Sequence, residues 1–212
     1  MMLLMATPLS PRWIPGSERE LEQALTEGVL TETHHRDGKQ DLREKKDMAK
    51  DMASFAIDGG LLVIGLREDK EAGRFFLAPI ERQDQVEETP ERIALTRCDP
   101  PLLVRTQWID SHKKTGQGYL LVEIPASSLA PHMVDGRYYG RGEKQKYPLS
   151  DAQVQRLMAS RDISLSRIRE ELQQVVTEDR WPEGENPHLH VVARPVSGQR
   201  RQFLEVTNGQ FR

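Results

Sequence analysis

The chain has 212 residues, 37% of them hydrophobic and 30% charged, which allows one domain of about 130 to 150 residues and a smaller element beside it. Its 30 Lys and Arg face 33 Asp and Glu, a net charge of −3, so phosphate meets no global attraction and any nucleic-acid site must be local. The one cysteine, Cys98, excludes an intramolecular disulfide and a multi-cysteine zinc site, which fits a reducing compartment with the cytoplasm as default.

The apolar opening MMLLM is shorter than a signal-peptide core and soon meets Pro8, Pro11 and Pro15, so residues 1–16 read as an irregular lead-in and not as a targeting segment. No run approaches the roughly 20 apolar residues that a bilayer crossing needs, so a soluble protein with no membrane partner is expected. Ser17 followed by Glu20 forms a capping box, and Leu21, Leu25 and Val29 give the helix that follows an apolar stripe, with Gly28 weakening its end. Residues 30–40 are polar and read as extended.

From 44 onward the pattern sharpens. Met48, Met52, Phe55 and Ala56 share one helical face, Gly59 and Gly60 stop the helix, and Leu61 to Leu66 is a short, wholly apolar run that reads as a buried strand. After a charged turn from Glu68 to Gly73, Arg74 to Ile80 reads as a second strand forming a hairpin with the first. Gln83 to Cys98 is helix-like but broken by Pro90, and Pro100-Pro101 ends it.

Leu102 to Trp108 and Tyr119 to Ile124 read as another hairpin, and Arg137 to Arg141 as a short strand. Ser150 caps a helix over Ala152 to Met158, and Leu165, Ile168, Leu172, Val175 and Val176 mark a further helix to about Thr177. That second helix is expected to pack on its own domain, with a homodimer through it as the alternative. Beyond the breakers from Pro182 to Pro187, His188 to Val192 and Gln202 to Val206 read as two strands, too little to fold alone.

Several blocks together carry a resemblance: Glu32, Asp37 and Lys39; ASFAIDGGLLVIGLRE at 53–68; DPPL at 99–102; APHMVDGRYYGRG at 130–142; and LSDAQVQRL at 149–157. In order and spacing they resemble the Schlafen-type AlbA-like domain over about residues 25 to 160. Arg36 and Gly38 depart from it, standing where the family usually has an apolar residue and an aromatic. The resemblance implies an α+β fold, an AlbA-like mixed β-sheet with flanking helices over 17–160, followed by a helical and β-hairpin C-terminal extension over 161–212.

For function the resemblance implies two classes, nucleic-acid binding, often within transcriptional regulators, and a metal-dependent endoribonuclease with three carboxylates. Carried over by position, those three are Glu32, Asp37 and Glu68, with Asp69 in reserve for the third. Three convergent acids suit Mg²⁺ or Mn²⁺, hard ions that prefer carboxylate oxygen. Five residues of extended strand would hold Glu32 and Asp37 about 16 Å apart on opposite faces, so a shared ion requires a bend between them. Nothing from Thr33 to Arg36 announces one.

Two basic patches point to phosphate. Arg43, Lys46 and Lys50 form a helical stripe with Lys39 and Lys45 nearby, able to track a backbone by charge. On a strand, Arg137, Tyr139 and Arg141 point one way, so an unpaired base stacked on Tyr139 would leave the arginines for phosphate, with Lys144 and Lys146 extending the patch. The competing reading is a sheet-edge strand whose tyrosines pack on the core. His34-His35 and His188-x-His190 lack further ligands at zinc spacing. There is no nucleophile elbow, phosphate loop or dinucleotide fingerprint.

The expectation is therefore a bacterial-type nucleic-acid-binding protein, for DNA or RNA, with a regulatory role. The alternative is the endoribonuclease, with Lys39 and Arg141 positioning the RNA backbone. A scaffold that touches no nucleic acid is a third class.

Overall fold

The computed structural model describes residues 13–42, 45–69 and 73–178. The expected strands near 188 and 202, the His188 and His190 pair, the lead-in as far as residue 12, and Arg43 lie outside those residues.

Among the described residues, four helices and ten strands make an α+β fold. In chain order they are α1 (Glu18–Thr26), β1 (Arg36–Lys39), α2 (Lys45–Phe55), β2 (Gly60–Ile64), β3 (Leu66–Asp69), β4 (Arg74–Leu77) and β5 (Ile80–Glu81). Then follow α3 (Glu88–Arg97), β6 (Arg105–Asp110), β7 (Gln117–Ile124), β8 (Met133–Val134), β9 (Arg137–Arg141), β10 (Lys146–Pro148) and α4 (Asp151–Thr177). The central sheet is mixed: β1 and β2 run parallel, and β7 pairs antiparallel with β2, β5 and β6. Two smaller sheets flank it, the β3–β4 hairpin and the antiparallel β8–β9–β10 set.

The unbroken apolar run of β2 follows from a sheet covered on both sides. Leu62 and Ile64 pack with Met48, Met52 and Phe55 of α2 and Ile93 of α3, while Leu61 and Val63 pack with Leu21 and Ala24 of α1. A strand buried on both faces has no need of alternation. β7 repeats the arrangement, with Leu120 and Val122 on the α2 side and Tyr119 and Leu121 on the α1 side.

Sequence and structure differ at several joints. The run from Leu61 to Leu66 is two strands, because Gly65, at φ +103, turns the chain out of the central sheet before β3 begins, so the hairpin partner of β4 is β3 and not β2. Ile80 belongs to β5, which extends the β7 ladder beyond β2. Pro90 does not break a helix, since α3 starts at Glu88 and a first-turn residue has no intrahelical acceptor for its N–H.

The two C-terminal helices are one. α4 runs 27 residues through position 160, opened by a full capping box in which Gln153 N–H donates to the Ser150 hydroxyl and the Gln153 side chain accepts from the Ser150 N–H. None of its residues is buried, so among the described residues the expected packing of its apolar stripe on the domain does not occur. No helix of the described residues is long and apolar enough to cross a membrane.

Candidate functional site

The bend that Glu32 and Asp37 require is present. Thr33 and Arg36 form an antiparallel bridge, with Thr33 N–H donating to the Arg36 carbonyl at 3.0 Å and Arg36 N–H to the Thr33 carbonyl at 3.3 Å. His34 and His35 make the loop between them, and neither takes a positive φ. The turn is thus not one of the mirror-image types that Gly or Asn would have advertised. The extended reading of 30–40 is corrected to this tight turn followed by β1.

Both histidines pin the turn to the Asp58-Gly59 corner after α2. His34 Nε2 lies 2.9 Å from Asp58 Oδ2, and His35 Nδ1 is 2.8 Å from the Gly59 carbonyl, an acceptor that places the ring proton on Nδ1. Their rings meet edge to face at 4.9 Å. The pair is structural, and the Asp-Gly-Gly turn of the sequence is its anchor.

One arginine holds the two acids together. Arg141 Nη2 lies 3.2 Å from Glu32 Oε1 and 3.3 Å from Asp37 Oδ2, while its Nε donates to the Thr33 carbonyl at 3.2 Å. Its guanidinium carbon stands 4.3 Å from the centre of the Phe55 ring, a cation–π contact closed off from water. Phe55 lies flat there because Gly60 has no Cβ: an added one would collide with the ring. Lys39 Nζ completes the cluster, 2.7 Å from Asp37 Oδ2.

The Arg36 and Gly38 departures have structural counterparts. Arg36 is buried in β1 opposite Leu61, and the Phe75 ring from β4 fills the space on Gly38, 2.9 Å from where a Cβ would stand.

The carboxyl of Glu32 is pushed above the ordinary range, first by burial and then by the nearby Asp37 charge, against the pull of Arg141 and Lys39. Glu68 adds a smaller push in the same direction, so both of the other carried-over acids act on Glu32. Glu68 itself is exposed on β3. The metal fit is poor, however. A guanidinium and an ammonium already occupy the space between Glu32 and Asp37, and among the described residues no three His, Cys, Asp or Glu groups are arranged to hold an ion.

The basic residues separate into two kinds. Arg141 is not a phosphate contact: its side chain is 1% exposed and saturated by carboxylates and carbonyls. Tyr139 is not an open stacking platform either, since it packs against the core cluster and Lys50 Nζ sits 5.7 Å above its ring. Lys50 also meets Asp47 at 3.6 Å, and Lys146 is held by the buried Asp51 at 2.7 Å. Lys39 is engaged by Asp37. Arg137, Lys144 and Lys45 are exposed and form no ion pair with a described residue. Lys46, half-exposed, reaches Asp135 at 3.2 Å.

Packing of α2 against β8, β9 and β10, with the Lys46–Asp135 contact tying the start of α2 to the turn that precedes Arg137, brings Lys45, Lys46 and Arg137 to a rim at one end of this layer, while Lys144 stands in the loop beyond the other end of β9. The rim is sequence-legible in its parts, but only the packing joins them. A further buried carboxylate had no signal at all. Glu18 opens α1 and accepts from the Tyr119 hydroxyl at 2.7 Å, the Ser111 hydroxyl at 2.8 Å and the His112 N–H at 2.6 Å.

The family model described as Schlafen, AlbA_2 matches residues 32–150, more than half of the chain. No curated protein matches it. Among solved structures, the chain is similar to the DIP2311 protein from Corynebacterium diphtheriae, with 18% identity and a TM-score of 0.43. That match covers 68% of this chain and 29% of the other, so the chain spans under a third of that protein. It is also similar to the N-terminal domain of a RecG-related protein from Nitrosomonas europaea, with 15% identity, a TM-score of 0.48, and 65% and 94% of the two chains covered.

Proposed function

This chain belongs to the Schlafen AlbA_2 family, and from that premise we propose that it binds nucleic acid, DNA or RNA, along the rim where α2 meets the β8–β10 sheet. The observation that carries the reading is that Lys45 and Arg137, exposed and without an ion pair among the described residues, stand at ends of α2 and β9 that the Lys46–Asp135 contact ties together. Lys144 is exposed in the loop beyond the far end of β9, while Lys50 and Lys146 between them are neutralised internally. Net charge offers nothing beyond this rim, so affinity is local and modest.

Tyr139 is half-buried beneath Lys50, so the rim is read as tracking phosphates by charge and not as stacking a base on that ring. That suits the anchoring part of a regulator in the cytoplasm, with sequence choice supplied elsewhere. About three phosphate contacts predict a salt slope near −3, a loss of about 40-fold in affinity between about 50 and 200 mM salt.

The test is a salt titration of binding to duplex DNA and to structured RNA. Exchanging Arg137 and Lys144 for alanine together is expected to flatten the slope by about two and weaken both polymers alike at low salt. Unchanged affinity and slope would overturn the rim.

The endoribonuclease reading draws on the gathering of Glu32, Asp37 and Glu68, but needs Arg141 to release the first two before any ion enters. Binding without cleavage is the expected result when Mn²⁺ is added. Metal-dependent RNA cutting that is abolished by both Glu32→Gln and Asp37→Asn would replace the binding reading with the enzymatic one.

A further inference from the structure

Apolar side chains recur on α4 in heptads. Met158, Leu165 and Leu172 follow one another at seven-residue steps, and Val154, Ile168 and Val175 lie on the companion series, with Arg161 at its second place. Such a 3.5-residue spacing is the seam along which helices pair.

The seam begins against the domain and leaves it. Val154 and Met158 are half-buried, and Arg161 Nη1 donates to the Leu129 carbonyl at 3.3 Å. Beyond that point Leu165, Ile168, Leu172 and Val175 are 46%, 36%, 39% and 39% exposed. An apolar line of this length facing water marks an interaction surface.

We infer that a second copy of this chain covers it, with the two α4 helices antiparallel. Charge decides both the partner and the direction. Asp162 and Arg169 flank the seam on the same edge, one heptad apart. In an antiparallel pair that sets Leu165 opposite Ile168, Asp162 of each copy faces Arg169 of the other, so the two-fold axis makes the opposite-charge contact twice. A parallel pair would bring Arg161 against Arg161 inside the seam and leave no opposite charges across its flanks.

The antiparallel register also lays Val175 of one copy beside Met158 and the exposed Leu129 of the other, so the apolar surface continues from helix onto domain. The projecting part of α4 beyond Arg161 is about 24 Å long, which places the interface at the small end of specific ones and the dissociation constant in the micromolar range. None of this depends on nucleic-acid binding.

Sedimentation velocity on the full chain, from about 1 to 100 µM, tests it. The expected result is a monomer-to-dimer shift within that range, abolished by Leu165→Glu, which sets a carboxylate against Ile168 of the other copy. Asp162→Arg and Arg169→Asp are each expected to weaken the dimer about 5-fold, and the two together to restore it. A monomer at every concentration, or a dimer indifferent to Leu165→Glu, overturns the proposal. Orientation has its own readout. Leu172→Cys places its thiol opposite Arg161 in the antiparallel register, so no disulfide-linked dimer should form on mild oxidation, and Cys98, buried in the core, does not interfere. A cross-linked product would overturn the antiparallel pairing.

Discussion

The turn at 32–37 and the helix α4 treat polarity in opposite ways. At the turn, Asp37 and Arg141 are 4% and 5% exposed, with Glu32 and Lys39 closing around them, so charge is sealed inside the fold. Along α4, leucine, isoleucine and valine stand in water and no residue is buried. The contrast separates what this chain completes by itself from what it leaves open. Buried charges survive only when each has its partners, and here every partner comes from within the domain: the turn, β1, β9 and the Phe55 ring. The α4 seam has no such closure among the described residues.

The largest effect is expected from breaking the sealed side. Arg141→Ala leaves two carboxylates facing each other at the turn and is expected to cost about 3 to 5 kcal/mol in denaturant unfolding. Arg137→Ala, four residues earlier on the same strand, should stay within about 0.5 kcal/mol. Equal costs for the two would erase the distinction drawn between them.

Glu18 gives a pH-dependent version of the same lesson. Burial alone would raise its carboxyl, but the Tyr119 hydroxyl, the His112 N–H and the Ser111 hydroxyl together hold it below the ordinary value of 4.5. A depressed acid stabilises the fold above its ordinary value, and that contribution disappears as pH falls through the lower, folded value. Glu18→Gln should therefore cost about 1 to 3 kcal/mol at neutral pH and almost nothing in strong acid. Unfolding curves for the two proteins that stay parallel down to low pH would sink this account. Glu32 works in the opposite sense: its raised value means that ionising it as pH rises opposes folding.

The smallest stability effect belongs to the open side. Leu172→Glu should change unfolding of the monomer by no more than about 0.5 kcal/mol, since the side chain is already in water. A loss of several kcal/mol would mean that α4 is covered within its own chain.

Much of the scaffold could be read directly from residues. The Ser17 and Ser150 caps, the α2 face of Met48, Met52 and Phe55, and the apolar β2 run are local patterns whose physics is local, and each appears in the structure. The candidate site was legible as a set of residues but not as roles. Alternation placed Arg137 and Arg141 on one face of β9, and nothing along the strand tells that one end lies over Phe55 and the 32–37 turn while the other overhangs solvent. Nor does a His-His turn without glycine reveal itself.

Local patterns in the chain carry the helix starts at Ser17 and Ser150, the strand buried on both faces, and the acids and cations of a Schlafen AlbA_2 domain. Which of those charges meet follows from packing alone. A salt bridge across 109 positions, such as Glu32 with Arg141, leaves no periodic trace in the chain, because its geometry is set by how a turn, a helix and a distant strand pack.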